Sequence, residues 1–196
     1  MFQPVNSGCF YMVRCMTDRL NLLYDMIPRN GTGMIDVGTD HAQLPIALAT
    51  HGYQGKLIAS DIHEGPLRRA FSAAEEAGVS DRIIFLRCNG LELCKPGDID
   101  CIVIAGMGGD SICRILDEAD WLFSGEYRLV LQPMTHAEVV RYWLVHNEYV
   151  IETEAIACEG HRFIFLYVSL KPGELTRPKA GFSPLFFQPR SSYNCE

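Results

Sequence analysis

"MIDVGTDHAQLP", Met34 to Pro45, runs from a short apolar stretch through Gly38 into Thr39, Asp40 and His41, and then into a segment of helical pattern. The apolar part, "GMIDVG", reads as a strand, and "AQLPIALATHG" reads as a helix closed by Gly52. Whether the turn between them holds a ligand or only reverses the chain depends on what the flanking sequence builds around it.

Upstream, "TDRLNLLYDMI" places Leu20, Leu23, Tyr24 and Ile27 on one helical face, with Thr17 or Asp18 as N-cap and with Pro28 and Gly31 ending the helix. Downstream the hydrophobic period switches repeatedly. "KLIASDI" is a second strand, "GPLRRAFSAAEEAG" a helix with Pro66 in its first turn, "RIIFLRC" a third strand and "DIDCIVIAG" a fourth. "GDSICRILDEA" is helical, "YRLVLQP" is a fifth strand, and "THAEVVRYWLVHN" is a helix that Thr135 would cap. "YVIETEAIA" and "RFIFLYVSL", separated by "CEGH", form an antiparallel hairpin. The expected class is α/β: five parallel strands with right-handed crossovers, then a hairpin, giving a mixed seven-stranded sheet with helices on both faces. Residues 1–15 are expected to be a leader, 16–171 the domain, and 172–196, rich in Pro, Gly and Ser, an irregular tail.

A chain of 196 residues that is 48% hydrophobic suffices for one domain with a real core. Its formal net charge of -7 gives no general attraction to nucleic acid, which leaves a local patch such as Arg14, Arg19, Arg68 and Arg69 to meet one. The eight cysteines lie mostly in or beside apolar runs and read as reduced, buried side chains of a cytoplasmic protein. Cys158 and His161 have the spacing of half a zinc site, but no second pair supplies the remaining ligands, so a turn is the better reading and no metal is expected. The N-terminal residues hold neither a signal-peptide core nor a membrane span, and no membrane partner is expected. The sequence sets no oligomeric state.

In an open parallel sheet, ligands bind at the carboxyl ends of the strands. The first strand ends at Asp36, Val37 and Gly38, which puts Thr39, Asp40 and His41 on that rim; the plainer alternative is that Asp40 and His41 cap the next helix. A dinucleotide fold would show three glycines here, whereas Asp40 and Ala42 follow Gly38. An aspartate facing a pyrophosphate is electrostatically wrong. S-adenosylmethionine, which has no phosphate and carries a cationic amino group and sulfonium, suits nearby carboxylates better. A ribose then needs an acceptor at the end of the second strand, where Asp61 stands 23 residues past Gly38. Ile62 would lie against the adenine face, and Asn89 with Gly90 would approach its edge. "IAGMGGD", Ile104 to Asp110, brings three glycines to the same rim, as backbone that a flat ligand can approach or as glycines that pack strand on helix. Ala105 offers no side-chain oxygen to an exocyclic amine, which points to a nucleophile held by backbone groups.

"IDVGTDHAQLPIAL", "HEGPLRRA", "CNGLELCKPGDIDCIVIAGMGG" and "LVLQPM" closely resemble the bacterial tRNA (adenine-22-N1)-methyltransferases, a class I family dependent on S-adenosylmethionine. The resemblance covers about Thr17 to Leu170, and "IAGMGG" after "NGL" is its most specific part. It implies a Rossmann-like class I methyltransferase domain that methylates N1 of an adenine in tRNA. Carried over to this chain, the cofactor-binding residues are Asp36, Gly38, Asp40, His41, Asp61, Ile62, Asn89, Gly90, Ala105 and Gly106. Met107, Gly108 and Gln132 would face the incoming base, and the expected catalytic set is Asp40, Met107 and Gly108. The expected step is in-line displacement at the sulfonium methyl, with Asp40 either stabilising the cationic product or holding the amino group of the methionine moiety. The family continues into a helical C-terminal domain that helps grip tRNA; here residues 171–196, with Pro172, Pro178, Pro184 and Pro189, preclude a long helix, so tRNA binding is expected to be weak or partner-assisted. The competing class is a catalytically inactive module that binds S-adenosylmethionine or a nucleotide and regulates.

Overall fold

Along the central strands successive residues point to opposite sides, and both sides are apolar, so the sheet requires cover on each face. In the computed structural model, which describes residues 18–159 and 162–170, helices supply that cover. The elements run α1 (Asp18–Met26), β1 (Gly33–Val37), α2 (Gln43–Thr50), β2 (Lys56–Asp61), α3 (Glu64–Glu76), β3 (Ile83–Arg87), β4 (Cys101–Gly108), α4 (Gly109–Asp117), β5 (Arg128–Thr135), α5 (Ala137–His146), β6 (Val150–Glu159) and β7 (Arg162–Leu170). The sheet order is β3-β2-β1-β4-β5-β7-β6. Strands β1 to β5 are parallel, and β7 lies antiparallel between β5 and β6. This is a Rossmann-like arrangement. From β1 the chain steps outward to β2 and β3, then returns to β4 on the other side of β1, so the carboxyl ends of β1 and β4 flank the switch point.

Two apolar layers follow from strand alternation. Leu23 of α1, Leu44 and Leu48 of α2 and Ala70 of α3 pack with Met34, Leu57, Val103 and Val130 on one face. Ile112 and Leu116 of α4 and Val140 and Leu144 of α5 pack with Ile35, Ile58, Ile102 and Leu129 on the other. Cys88, Cys94, Cys101 and Cys113 are buried and free, and Cys94, Cys101 and Cys113 pack in these layers as small hydrophobes. No helix among the described residues is long and apolar enough to cross a membrane, and no cluster of three metal-ligating side chains occurs among them.

Two local expectations need correction. Thr135 does not cap α5: β5 runs through Thr135, and His136 takes the cap position in a left-handed conformation (φ 53°) with no side-chain cap bond. The glycine-rich segment after Ala105 is strand rather than loop. Ala105 pairs with Gln132, Met107 with Pro133 and Gly108 with Thr135, so Gly106 is an extra residue, a β-bulge accommodated at φ 78°. The expected leader and tail, the Thr17 cap, and Gly160 and His161 of the hairpin turn lie outside the described residues; the strands on either side of that turn pair as far as Glu159 opposite Arg162.

Ile102 is fully buried at the sheet centre, whereas Ile62 at the rim is 52% exposed. Ile102→Ala should lower unfolding free energy by about 2–5 kcal/mol, and Ile62→Ala should change it by no more than about 0.5 kcal/mol. Urea midpoints for the two variants check both values.

Candidate functional site

The turn after β1 is fixed from two sides. The amides of Gly38 and Thr39 both donate to the Ser60 carbonyl oxygen on β2, at 2.8 and 2.9 Å. Gly38 sits at φ 76°, and a Cβ there would run into the Met107 Cε that crosses from β4. Glycine is therefore required both by backbone conformation and by space. Helix α2 starts from Ala42, itself left-handed at φ 48°, with no side-chain cap bond. Asp40 and His41 are thus not its caps, and their side chains stand exposed on the rim.

A cavity of about 320 Å³ opens between this turn, the first two turns of α1 and the end of β4. Asp36, Gly38, Asp40, His41, Ala105 and Gly106 line it, so six of the residues expected at a cofactor site converge. Arg19, Leu20, Leu23 and Thr39 line it too, and these were not expected there. Burial pushes the Asp36 carboxyl up from 3.8 to about 6, against the opposing pull of the Thr39 hydroxyl and of the Arg19 charge. The Thr39 side chain is only 3% exposed, and its Oγ1, although near enough to act on Asp36, makes no well-formed hydrogen bond.

Two expectations about charged and polar groups are corrected. Arg19 belongs to the cavity rather than to an outward basic patch: its Nη1 donates to Gln132 Oε1 at 3.0 Å. Arg68 pairs with Glu64, and Arg69 with Asp40, so the other described members of that patch are also engaged with side chains of the same chain. Asp40 therefore has a structural partner, with His41 Nε2 a further 3.5 Å from its other oxygen. Gln132 is fully buried and does not face a base. Its Oε1 accepts from the Gly106 amide at 3.0 Å as well as from Arg19, and its Nε2 donates to the Pro133 carbonyl, so it pins the bulge from beneath.

The remaining expected residues share the rim but not this cavity. Asp61 Oδ1 accepts the His63 amide at 2.7 Å, which orders the start of α3. Asn89 donates through Nδ2 to Glu118 at 3.3 Å, and Gly90 (φ 54°) packs so closely on Ile115 that a Cβ would be 2.9 Å from its Cγ2. Met107 and Gly108 lie beyond the bulge. A Cβ on Gly109 would meet the His136 carbonyl oxygen, so that glycine is a packing glycine. Asp110 and His136 pair beside it; the contact lowers the carboxyl pKa and raises that of the imidazole. The sequence held one sign of Arg19's inward placement: Arg19, Leu23 and Ile27 fall at intervals of four, on the face that α1 turns to the sheet.

Residues 16–166 match the family model of a methyltransferase domain. The tRNA (adenine(22)-N(1))-methyltransferase of Bacillus subtilis is 39% identical over 142 residues, which make up 72% of this chain and 59% of that protein. The chain thus spans less than two thirds of the length of this curated relative. Similar solved structures include two with a bound cofactor or cofactor product. A putative tRNA (m1A22) methyltransferase of Streptococcus pneumoniae in complex with S-adenosyl-L-methionine is 34% identical with a TM-score of 0.74, covering 81% of this chain and 73% of that one. TrmK of M. capricolum in complex with S-adenosyl-homocysteine is 31% identical with a TM-score of 0.71, covering 80% and 69%.

The environment of Asp36 has a consequence for stability. Its carboxyl ionises near 3.8 when unfolded and near 6 when folded, so the folded chain binds the extra proton between these values and loses stability as pH rises through that window. Asp36→Asn should be more stable than wild type above about pH 6, with an advantage that shrinks toward pH 4. Parallel urea titrations across that range measure the difference.

Proposed function

The chain belongs to the methyltransferase-domain family, and on that premise we propose that it is an S-adenosylmethionine-dependent methyltransferase acting on N1 of an adenine in tRNA. One observation carries the reading. A cavity with a half-buried carboxylate, Asp36, adjoins a strand end, Ala105 to Gly108, that carries two glycines and little side-chain bulk.

The residues suit this cofactor. Asp36, held partly desolvated at the switch point, favours a cation, and the buried Thr39 hydroxyl has a hydrogen bond to give. Two carboxylates, Asp36 and Asp40, on one cavity wall disfavour a pyrophosphate. Asp61, at the end of β2, would take the ribose hydroxyls, with the exposed Ile62 against the adenine face and Asn89 and Gly90 at its edge. When bound, S-adenosylmethionine supplies an electrophilic methyl group.

The acceptor needs little acid–base help, because N1 of adenine carries a free lone pair at neutral pH and positioning supplies much of the rate. Met107 and Gly108 would flank the base. Gly106, Gln132 and Pro133 hold that stretch rigid through the bulge, which is what a backbone-lined seat requires. Asp40 belongs to the cofactor side: Arg69 holds it at the mouth of the cavity, and there its charge acts near the methionine end. The matched segment carries the cofactor pocket and the base seat, and the tRNA grip is assigned to no described arginine patch.

Incubation with bulk tRNA and labelled cofactor, followed by nucleoside digestion under neutral conditions, should yield 1-methyladenosine with no N6-methyladenosine formed first. N6-methyladenosine as the primary product, or no transfer at all, would contradict the proposal.

Asp61→Ala should weaken S-adenosylhomocysteine binding by about 1.5–3 kcal/mol, the worth of hydrogen bonds to a charged acceptor. Calorimetry reads this directly, and an unchanged dissociation constant would remove Asp61 from the ribose site.

A further inference from the structure

Beside the base seat, two side chains form a pair that the reading above leaves without a role. Asp110, in the first turn of α4, and His136, between β5 and α5, meet through Asp110 Oδ2 and His136 Nδ1. Backbone contacts place the pair next to the seat: Gly108 pairs with Thr135, and a Cβ on Gly109 would run into the His136 carbonyl oxygen. Stability does not account for it. The His136 and Asp110 side chains are 58% and 69% exposed, where an ion pair contributes little. His136 takes a left-handed backbone, φ 53°, a costly conformation for a non-glycine residue, yet its side chain makes no cap bond to α5. Asp110 occupies Nδ1, so the neutral ring carries its proton there and presents Nε2, which bonds to none of the described residues, as an acceptor.

We propose that His136 is a specificity-determining residue for the acceptor: its Nε2 accepts a hydrogen bond from the exocyclic amine of the target adenine, and Asp110 is the positioning residue that fixes the ring. The proposal rests on the methyl-transfer reading and on the seat at Met107 and Gly108. The edge of adenine that offers N1 also offers the amine, so a seat that admits N1 must place the amine against something. Ala105 has no side-chain oxygen for it, whereas His136 immediately follows the strand end that pairs with Gly108. In the transfer, the bond from N1 to the methyl carbon forms as the sulfur–carbon bond breaks, the electron pair stays on sulfur, and the positive charge passes to the adenine. Part of that charge resides on the amine, so its bond to Nε2 strengthens as the step proceeds. An imidazolium would instead oppose a donor to a donor. Asp110 from α4 and, to a smaller extent, Glu138 from α5 raise the imidazole pKa above its ordinary 6.5, while the neighbouring Gly109 and Thr135 carry no charge. The acceptor form is therefore gained as pH rises through that raised value.

The test uses two RNAs: a tRNA that the protein methylates, and the same tRNA with purine, which keeps N1 and lacks the amine, in place of the target adenine. Each variant is compared with wild type on the same RNA, so the intrinsic reactivity of N1 cancels. With cofactor and RNA saturating, His136→Ala should slow transfer to the adenine RNA about 10-fold and to the purine RNA by less than about twofold. His136→Gln, which keeps an acceptor and does not titrate, should recover part of the loss. On the adenine RNA the wild-type rate should rise with pH through a midpoint above 6.5. That midpoint should fall in Asp110→Asn, and the rise should disappear in His136→Gln. Unchanged S-adenosylhomocysteine affinity by calorimetry reports that each variant is folded. Equal slowing on both RNAs by His136→Ala overturns the proposal and leaves the methyl-transfer reading standing. A wild-type rise that Asp110→Asn does not move has the same consequence, and it decides should His136→Ala fail to fold or the purine RNA react too slowly to measure. Failure of the wild type to methylate any tRNA overturns both.

Discussion

The Ser60 carbonyl oxygen accepts the amides of both Gly38 and Thr39, and the site is built outward from that pair of hydrogen bonds. It ties the turn after β1 to the end of β2 and so converts the parallel register of these strands into a fixed position for everything that follows Val37. From the other side Met107 Cε fills the space where a Gly38 Cβ would stand. A turn held by a hydrogen bond on one flank and by van der Waals contact on the other has little freedom. Asp36 and Thr39 can therefore be kept partly desolvated in fixed positions, which is the condition for electrostatic recognition in a small cavity.

The bulge at Gly106 is the second constraint. An extra residue in β4 shifts its register against β5, and the Gly106 amide is satisfied by Gln132 rather than by the ladder. Because Gln132 is buried and accepts from Arg19 through the same oxygen, the cavity beside Asp36 and the backbone beyond Ala105 share one hydrogen-bonded junction. Charge is arranged along with it. Arg68 and Arg69 are matched to Glu64 and Asp40 at the surface, where such pairs contribute little stability but do fix side-chain direction.

Much of this was legible in order along the chain. Alternating periods gave the parallel strands and the hairpin, and Gly38 after Asp36 and Val37 marked the end of the first strand and the turn that follows it, where Gly38 sits at φ 76°. Asp61 was placed at the second strand end by spacing alone. The bulge was not legible. Three glycines in four positions read equally as a loop, and a bulge is defined only by which residues stand opposite on β5. Thr135 failed as a cap for the same reason, since pairing with Gly108 keeps it in the strand.

By itself, then, the sequence determined the class of sheet, the ends of its strands and the residues those ends carry, because hydrophobic period and glycine placement are local properties of the chain. Tertiary structure alone decided which side chains meet. Arg19 and Gln132 are 113 positions apart and Arg69 and Asp40 are 29 apart, and no local pattern encodes such partners. The physical reason is that ion pairs and shared acceptors depend on distances of a few ångströms between separate elements, and helix packing sets those distances. α1 is the clearest case: its stripe of Leu20, Leu23 and Ile27 specified that it would pack, but only the packed position turned Arg19 into the cavity beside Asp36.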